Sequence, residues 1–127
     1  MARIAVVDDS KLIRTLVAAV LTKAGHQVLS IEPESLATTL GALLAGRPDL
    51  LILDHAMPAF QGPSLVRACF EHPNLAGLRV ILLTAFHDPP LAERMRKLGV
   101  ADLLHKPIRP EDLSAAVTRV LGDEGLR

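Results

Sequence analysis

The sequence predicts a single α/β domain built as a doubly wound parallel sheet with helices on both faces. Three observations carry that expectation. Short apolar runs alternate five times with stretches of helical periodicity, the order that right-handed crossovers between parallel strands require. The run Leu50 to Leu53 is apolar throughout, which suits a strand covered on both faces. The runs also end in chemistry-bearing residues, namely Asp8 and Asp9, Asp54, Thr84, and Lys106 followed by Pro107. Ligands of open α/β sheets bind outside the carboxyl ends of the strands, so a site is expected where these residues converge.

Taken in order, Arg3 to Val7 reads as the first strand. Ser10 or Asp9 can cap a helix in which Leu12, Ile13, Leu16, Val17, Val20 and Leu21 recur at helical spacing, and Gly25 stops it. Gln27 to Ile31 is a second short strand. A helix is expected over Pro33 to Ala45, with Leu36, Leu40, Leu43 and Leu44 on one face and Gly46 at its end. The third strand is Asp49 to Leu53, and Asp54 follows at once. Met57-Pro58 then excludes helix, and Gly62-Pro63 marks the turn into a helix over Ser64 to Glu71 with Leu65, Val66, Cys69 and Phe70 as buried candidates.

Arg79 to Thr84 is the fourth strand. Pro89-Pro90 opens a short helix carrying Leu91, Met95 and Leu98, which Gly99 terminates. Val100 to His105 is a weaker strand, placed at an edge because Asp102 and His105 interrupt it. Pro110 suits the first turn of a final helix with Leu113, Ala116, Val117, Val120 and Leu121 facing inward. The domain is expected to span residues 1–121, with 122–127 as a frayed tail.

Composition narrows the function classes. Lys plus Arg and Asp plus Glu number 14 each, which argues against direct, non-specific nucleic-acid binding. The one cysteine, Cys69, permits no internal disulfide and reads as a packed thiol. His26, His55, His72, His87 and His105 show no zinc-ligand spacing and read as surface or loop residues. Asp8-Asp9 cuts the first apolar run too short for a signal peptide, and no run approaches the roughly 18 residues of a membrane span. The expectation is a soluble cytoplasmic domain with no membrane association.

Each strand-end residue has a plainer reading alone: a helix-capping aspartate, an ordinary strand-end threonine, a solvated turn lysine. Matched at neighbouring strand ends, they imply a shared pocket. Crowded carboxylates raise one another's proton affinity, and a hard divalent cation such as Mg²⁺ relieves the repulsion. Lys106 and Thr84 suit the oxygens of a transferring phosphoryl group, and Asp54 suits the nucleophile that forms an aspartyl phosphate.

The segments IAVVDDSKLIR at 4–14, LLILDHAMPAFQG at 50–62, ILLTA at 81–85 and LLHKPI at 103–108 resemble those of a two-component response regulator receiver domain, of the chemotaxis single-domain type. The resemblance covers nearly the whole chain and implies a flavodoxin-like sheet of order 2-1-3-4-5. It implies that Asp54 takes a phosphoryl group from a sensor histidine kinase or phosphotransfer protein. Asp9 and Asp54 would ligate Mg²⁺, with Asp8 close by or acting through water and the Ala56 carbonyl as a further ligand. Thr84 and Lys106 would contact the phosphoryl group, and Lys106-Pro107 would be cis. The output would be a conformational shift read by a downstream protein, without turnover of a separate substrate.

Two positions depart from the family pattern. Leu103 stands where many relatives place a Tyr or Phe whose rotation reports phosphorylation, and Phe86 stands two residues after Thr84, where smaller or polar groups are frequent. The competing enzyme reading is a small Mg²⁺-dependent phosphatase acting through an aspartyl phosphate. Such enzymes usually carry a second acid where Ala56 stands. A pseudo-receiver is the other alternative, disfavoured by the intact acidic set. No output domain is expected after the last helix, so the chain reads as a free-standing relay or a receiver cut from a longer regulator or hybrid kinase.

Overall fold

The computed structural model describes the backbone of residues 1–125 and the side chains of residues 1–122. Strands β1 (Arg3–Val7), β2 (Gln27–Ile31), β3 (Leu50–Asp54), β4 (Arg79–Thr84) and β5 (Asp102–His105) alternate with helices α1 (Lys11–Lys23), α2 (Leu36–Gly46), α3 (Gly62–Glu71), α4 (Pro89–Leu98) and α5 (Pro110–Gly125). The strands form one parallel sheet of order β2-β1-β3-β4-β5. β5 lies at an edge, as its interrupted sequence predicted.

Side chains alternate across a strand, so each apolar run feeds two cores. Ile4, Val6, Leu50, Ile52, Ile81 and Leu83 face α1 and α5, where they meet Val17, Leu21, Leu113 and Val117. Ala5, Val7, Leu51, Leu53, Val80 and Leu82 face the opposite layer, with Leu43, Leu65, Val66, Leu91 and Met95 from α2, α3 and α4. Burying one such leucine contributes about 2 kcal/mol. That apolar framework holds the strand ends, and hence the polar residues that follow them, in place.

Side-chain hydrogen bonds decide where the first helices start. Ser10, not Asp9, caps α1: its Oγ accepts from the Ile13 N–H at 3.2 Å, which leaves the Asp9 carboxylate free of capping. α2 begins at Leu36 rather than Pro33, because Ser35 Oγ accepts from the Thr38 N–H at 3.0 Å and sets the entry point. It also runs through Gly46, and Arg47, with φ 49°, takes the left-handed closing position expected of the glycine.

Other boundaries shift through long-range pairing. β3 starts at Leu50 and includes Asp54, since Asp49 is engaged with Arg3 below the strand. α3 starts two residues before the expected Ser64. β5 starts at Asp102 because the Val100 N–H closes α4 by donating to the Met95 carbonyl. α5 continues past position 121 to Gly125, and residues 126–127 of the expected tail lie outside the described residues. Leu12 is 78% exposed, against the inward placement its spacing suggested. It stands five residues before buried Val17, about 140° round the helix from it.

Candidate functional site

β1 and β3 are paired, with Val7 opposite Leu53, so the residues that follow, Asp8 and Asp54, emerge side by side. β4 adjoins β3, and β5 adjoins β4 with His105 opposite Thr84, which brings Lys106 to the same edge. Oxygens of Asp8, Asp9 and Asp54 all lie within 4.8 Å of one another. Asp8 is fully buried, Asp54 is 5% exposed, and Asp9 faces solvent. Lys106 Nζ sits 3.2 Å from Asp8 Oδ2 and 3.2 Å from Asp54 Oδ1, bridging the two buried carboxylates.

Local backbone geometry orients the acids. The Ser10 N–H at the mouth of α1 donates to Asp8 Oδ1 at 2.8 Å, and the Arg14 guanidinium donates to the Asp8 carbonyl at 2.6 Å. The loop after Asp54 folds back through a bridge between Ala56 and Gln61, and the Gly62 N–H donates to the His55 carbonyl at 2.8 Å. A Cβ on Gly62 would lie 2.5 Å from the Asp54 carbonyl oxygen and 3.0 Å from that of His55. Only a hydrogen fits there, so Gly62 lets α3 press against the backbone that carries the acid. In the sequence Gly62 marks a turn and closes the segment 50–62 that carries the resemblance; the need for a missing side chain comes from the approach of α3.

The electrostatics follow from burial and crowding. Burial first, and the Asp8 carboxylate second, raise the Asp54 pKa from 3.8 to about 6, while Lys106 and a hydrogen bond with the Ala56 backbone act in the opposite direction. Burial disfavours the Lys106 ammonium, but Asp8 and Asp54 outweigh it and hold its pKa above the ordinary value. Asp8 Oδ2 is buried without a well-formed hydrogen bond, its neighbour being the ammonium at 3.2 Å. A buried oxygen left in that condition, among hard carboxylate donors, fits a divalent cation of the Mg²⁺ type.

Thr84 is fully buried at the end of β4. Its Oγ1 accepts from the Phe86 N–H at 3.0 Å, and its carbonyl accepts from the Lys106 N–H at 2.7 Å. The Lys106-Pro107 peptide is cis, as the resemblance implied. Asp8, Asp9, Asp54 and Lys106 are thus brought together, with Thr84 tied to Lys106 through the backbone and Ala56 in the loop that follows Asp54.

His55 lies in the loop after β3, in keeping with the expected placement of the histidines on the surface or in loops. It is half-buried, its Nδ1 lacks a hydrogen-bond partner, and its ring meets Phe86 edge-on at 6.0 Å. Burial, then the positive Arg94, lowers its pKa. His55 is placed there because it directly follows Asp54 in a loop folded against the sheet.

A sequence model of the response regulator receiver domain matches residues 4–118. The chain is 34% identical over 125 residues to the cyclic di-GMP phosphodiesterase response regulator RpfG of Xanthomonas campestris pv. campestris, covering 93% of this chain and 31% of that protein. It is 30% identical over 115 residues to the two-component response regulator ORR6 of Oryza sativa subsp. japonica, covering 90% of this chain and 68% of that protein. The chain therefore spans about a third of the first relative's length and two thirds of the second's. Among solved structures, the chemotaxis response regulator CheY4 of Vibrio cholerae matches with a TM-score of 0.87 at 30% identity, over 95% of this chain and 99% of that one. The phosphatase alternative finds no support in these matches.

Proposed function

This chain belongs to the response regulator receiver domain family, and we propose that Asp54 is the residue on which it accepts a phosphoryl group. The donor is the phosphohistidine of a sensor histidine kinase or phosphotransfer protein. The observation that carries the assignment is the pairing of Asp54, buried at the end of a central strand, with Lys106 Nζ at 3.2 Å. An Asp54 carboxylate oxygen attacks phosphorus as the phosphorus–nitrogen bond breaks, and the imidazole leaves with the bonding electrons. Lys106, poised between Asp8 and Asp54, neutralises charge on the phosphoryl oxygens. The Thr84 hydroxyl oxygen accepts from Phe86, so its own proton is available to a phosphoryl oxygen.

Asp9 and Asp54, with Asp8 and the Ala56 carbonyl, are the groups that would hold Mg²⁺; when bound, it supplies positive charge against the carboxylates and the incoming phosphoryl group. The chain acts as a signalling module, passing its state to a downstream protein and turning over no separate substrate. Equal numbers of acidic and basic residues, 14 each, leave no basic excess for direct nucleic-acid binding. Among the described residues no helix is long and apolar enough to cross a membrane, and a cytoplasmic location beside the kinase's donor histidine follows from this reading.

Intact mass after incubation with acetyl phosphate tests the assignment. Wild type with Mg²⁺ is expected to gain one phosphoryl group. Asp54→Asn, and wild type in chelator, are expected to gain none. Equal gain in the variant, or gain without metal, overturns the assignment.

A further inference from the structure

One pair of side chains lies beside the acidic pocket and plays no part in it. His87, in the loop between β4 and α4, stacks on His105, the last residue of β5, with ring centroids 4.0 Å apart and planes 4° from parallel. Parallel planes send the ring-nitrogen lone pairs side by side rather than to one point. Among the described residues, the one group of three or more candidate metal donors is Asp8, Asp9 and Asp54. The pair is therefore a ring contact and not a metal site.

The two rings ride on segments with different restraints. His105 is paired opposite Thr84, and the next residue, Lys106, donates its N–H to the Thr84 carbonyl at 2.7 Å. His87 belongs to a segment exposed from Ala85 to Pro90, which is tied back by the Phe86 N–H bond to Thr84 Oγ1 at 3.0 Å. The hydroxyl that holds this loop is thus the one that a phosphoryl group on Asp54 would claim. Strand residues two apart share a face, so Leu103 and His105 point to the same side of β5. Leu103 is half-buried against the core beneath α4 and has no ring to offer; His105 supplies one on that face, nearer the site.

We propose that the His87–His105 stack is the loop-to-strand latch through which this receiver reports its state. The latch is closed in the present arrangement, with Thr84 Oγ1 accepting from the Phe86 N–H, and it opens when Thr84 turns toward a phosphoryl oxygen on Asp54. Turning the hydroxyl either drags the Phe86 N–H along or releases it, and both displace His87. His105 stays with β5, held by strand pairing. The opened rings and the start of α4 then present a changed face to a downstream protein. The inference rests on Asp54 being the acceptor.

The test uses the whole chain, with beryllofluoride and Mg²⁺ standing in for the phosphoryl group. Stacked rings shield each other's protons, so the His87 and His105 ring protons are expected upfield of those of an exposed histidine. At saturation they move together to unshielded positions. In His87→Ala the His105 protons start unshielded and do not move, and acetyl phosphate labels Asp54 roughly threefold faster, the scale of one lost ring contact. His87→Phe, which keeps a ring, restores the slower rate. Ring protons that stay shielded while the Asp54 and Thr84 amides shift overturn the latch and leave the acceptor assignment standing. No change at those amides overturns both.

Discussion

The two edges of the sheet are built from the same strands and treat charge in opposite ways. At the amino edge every charge named meets a complement. The Arg3 N–H donates to Asp49 Oδ2 at 2.8 Å, the Asp49 N–H donates to the Arg3 carbonyl at 2.7 Å, and the Arg3 guanidinium donates to the Gly46 carbonyl at 2.8 Å. At the carboxyl edge Asp8, Asp9 and Asp54 crowd within 4.8 Å, and Lys106 bridges only Asp8 and Asp54. The amino edge closes the sheet. The carboxyl edge carries an electrostatic cost that a divalent cation can relieve.

Neutralising the crowded edge should produce the largest effect. A carboxyl whose pKa is raised on folding binds more protons in the native state, so its contribution to stability falls as pH rises through the interval from 3.8 to about 6. Above that interval the cost is about 3 kcal/mol at 1.36 kcal/mol per unit. In chelator at neutral pH, Asp54→Asn should therefore be more stable than wild type by up to about 3 kcal/mol. The gain should shrink as pH falls and vanish below the ordinary aspartate range. Urea unfolding across pH checks this; a variant less stable than wild type at neutral pH would show that the two edges do not differ as described.

Next in size is the support beneath Asp54. Gly62→Ala places a methyl 2.5 Å from the Asp54 carbonyl oxygen, which is backbone and cannot swing aside. The expected loss is about 2 kcal/mol, the scale of an overpacked core position. Mg²⁺ affinity, read by titration against thermal stability, should weaken as the loop after Asp54 is displaced. Unchanged affinity would separate Gly62 from the site.

At the amino edge, Asp49→Ala removes the acceptor of the Arg3 N–H bond and should cost about 1 kcal/mol. Labelling of Asp54 by acetyl phosphate should be unaltered, because the lost bond lies at the opposite end of the strands. A fall in labelling would mean that the edges are coupled. The smallest effect is expected at Leu12, 78% exposed on α1. Leu12→Gln should change stability by less than about 0.5 kcal/mol, and a larger loss in thermal unfolding would show that Leu12 packs against the core after all.

The chain by itself determined the succession of strands and helices and the positions of the acids, because both follow from short-range rules. Apolar spacing sets the type of element; Gly25 and Gly99, with φ of 96° and 112°, end α1 and α4, and Pro89 and Pro110 open α4 and α5. The acidic pocket was legible for the same reason: once strands are parallel and doubly wound, their carboxyl ends share an edge. What only the tertiary structure decided are contacts between residues far apart in the chain. Lys106 is expected in the pocket from the sequence, but that its ammonium bridges Asp8 and Asp54 in particular follows from β1, β3, β4 and β5 being adjacent in that order. Gly62 must lack a side chain because α3 folds back onto the backbone of Asp54 and His55. His87 finds His105 because the loop after β4 closes over the end of β5. Leu12, apolar and helically spaced, faces solvent because the sheet covers only the face of α1 that carries Val17 and Leu21. Periodicity along one element cannot register any of these, since each depends on which second element arrives beside it and at what register.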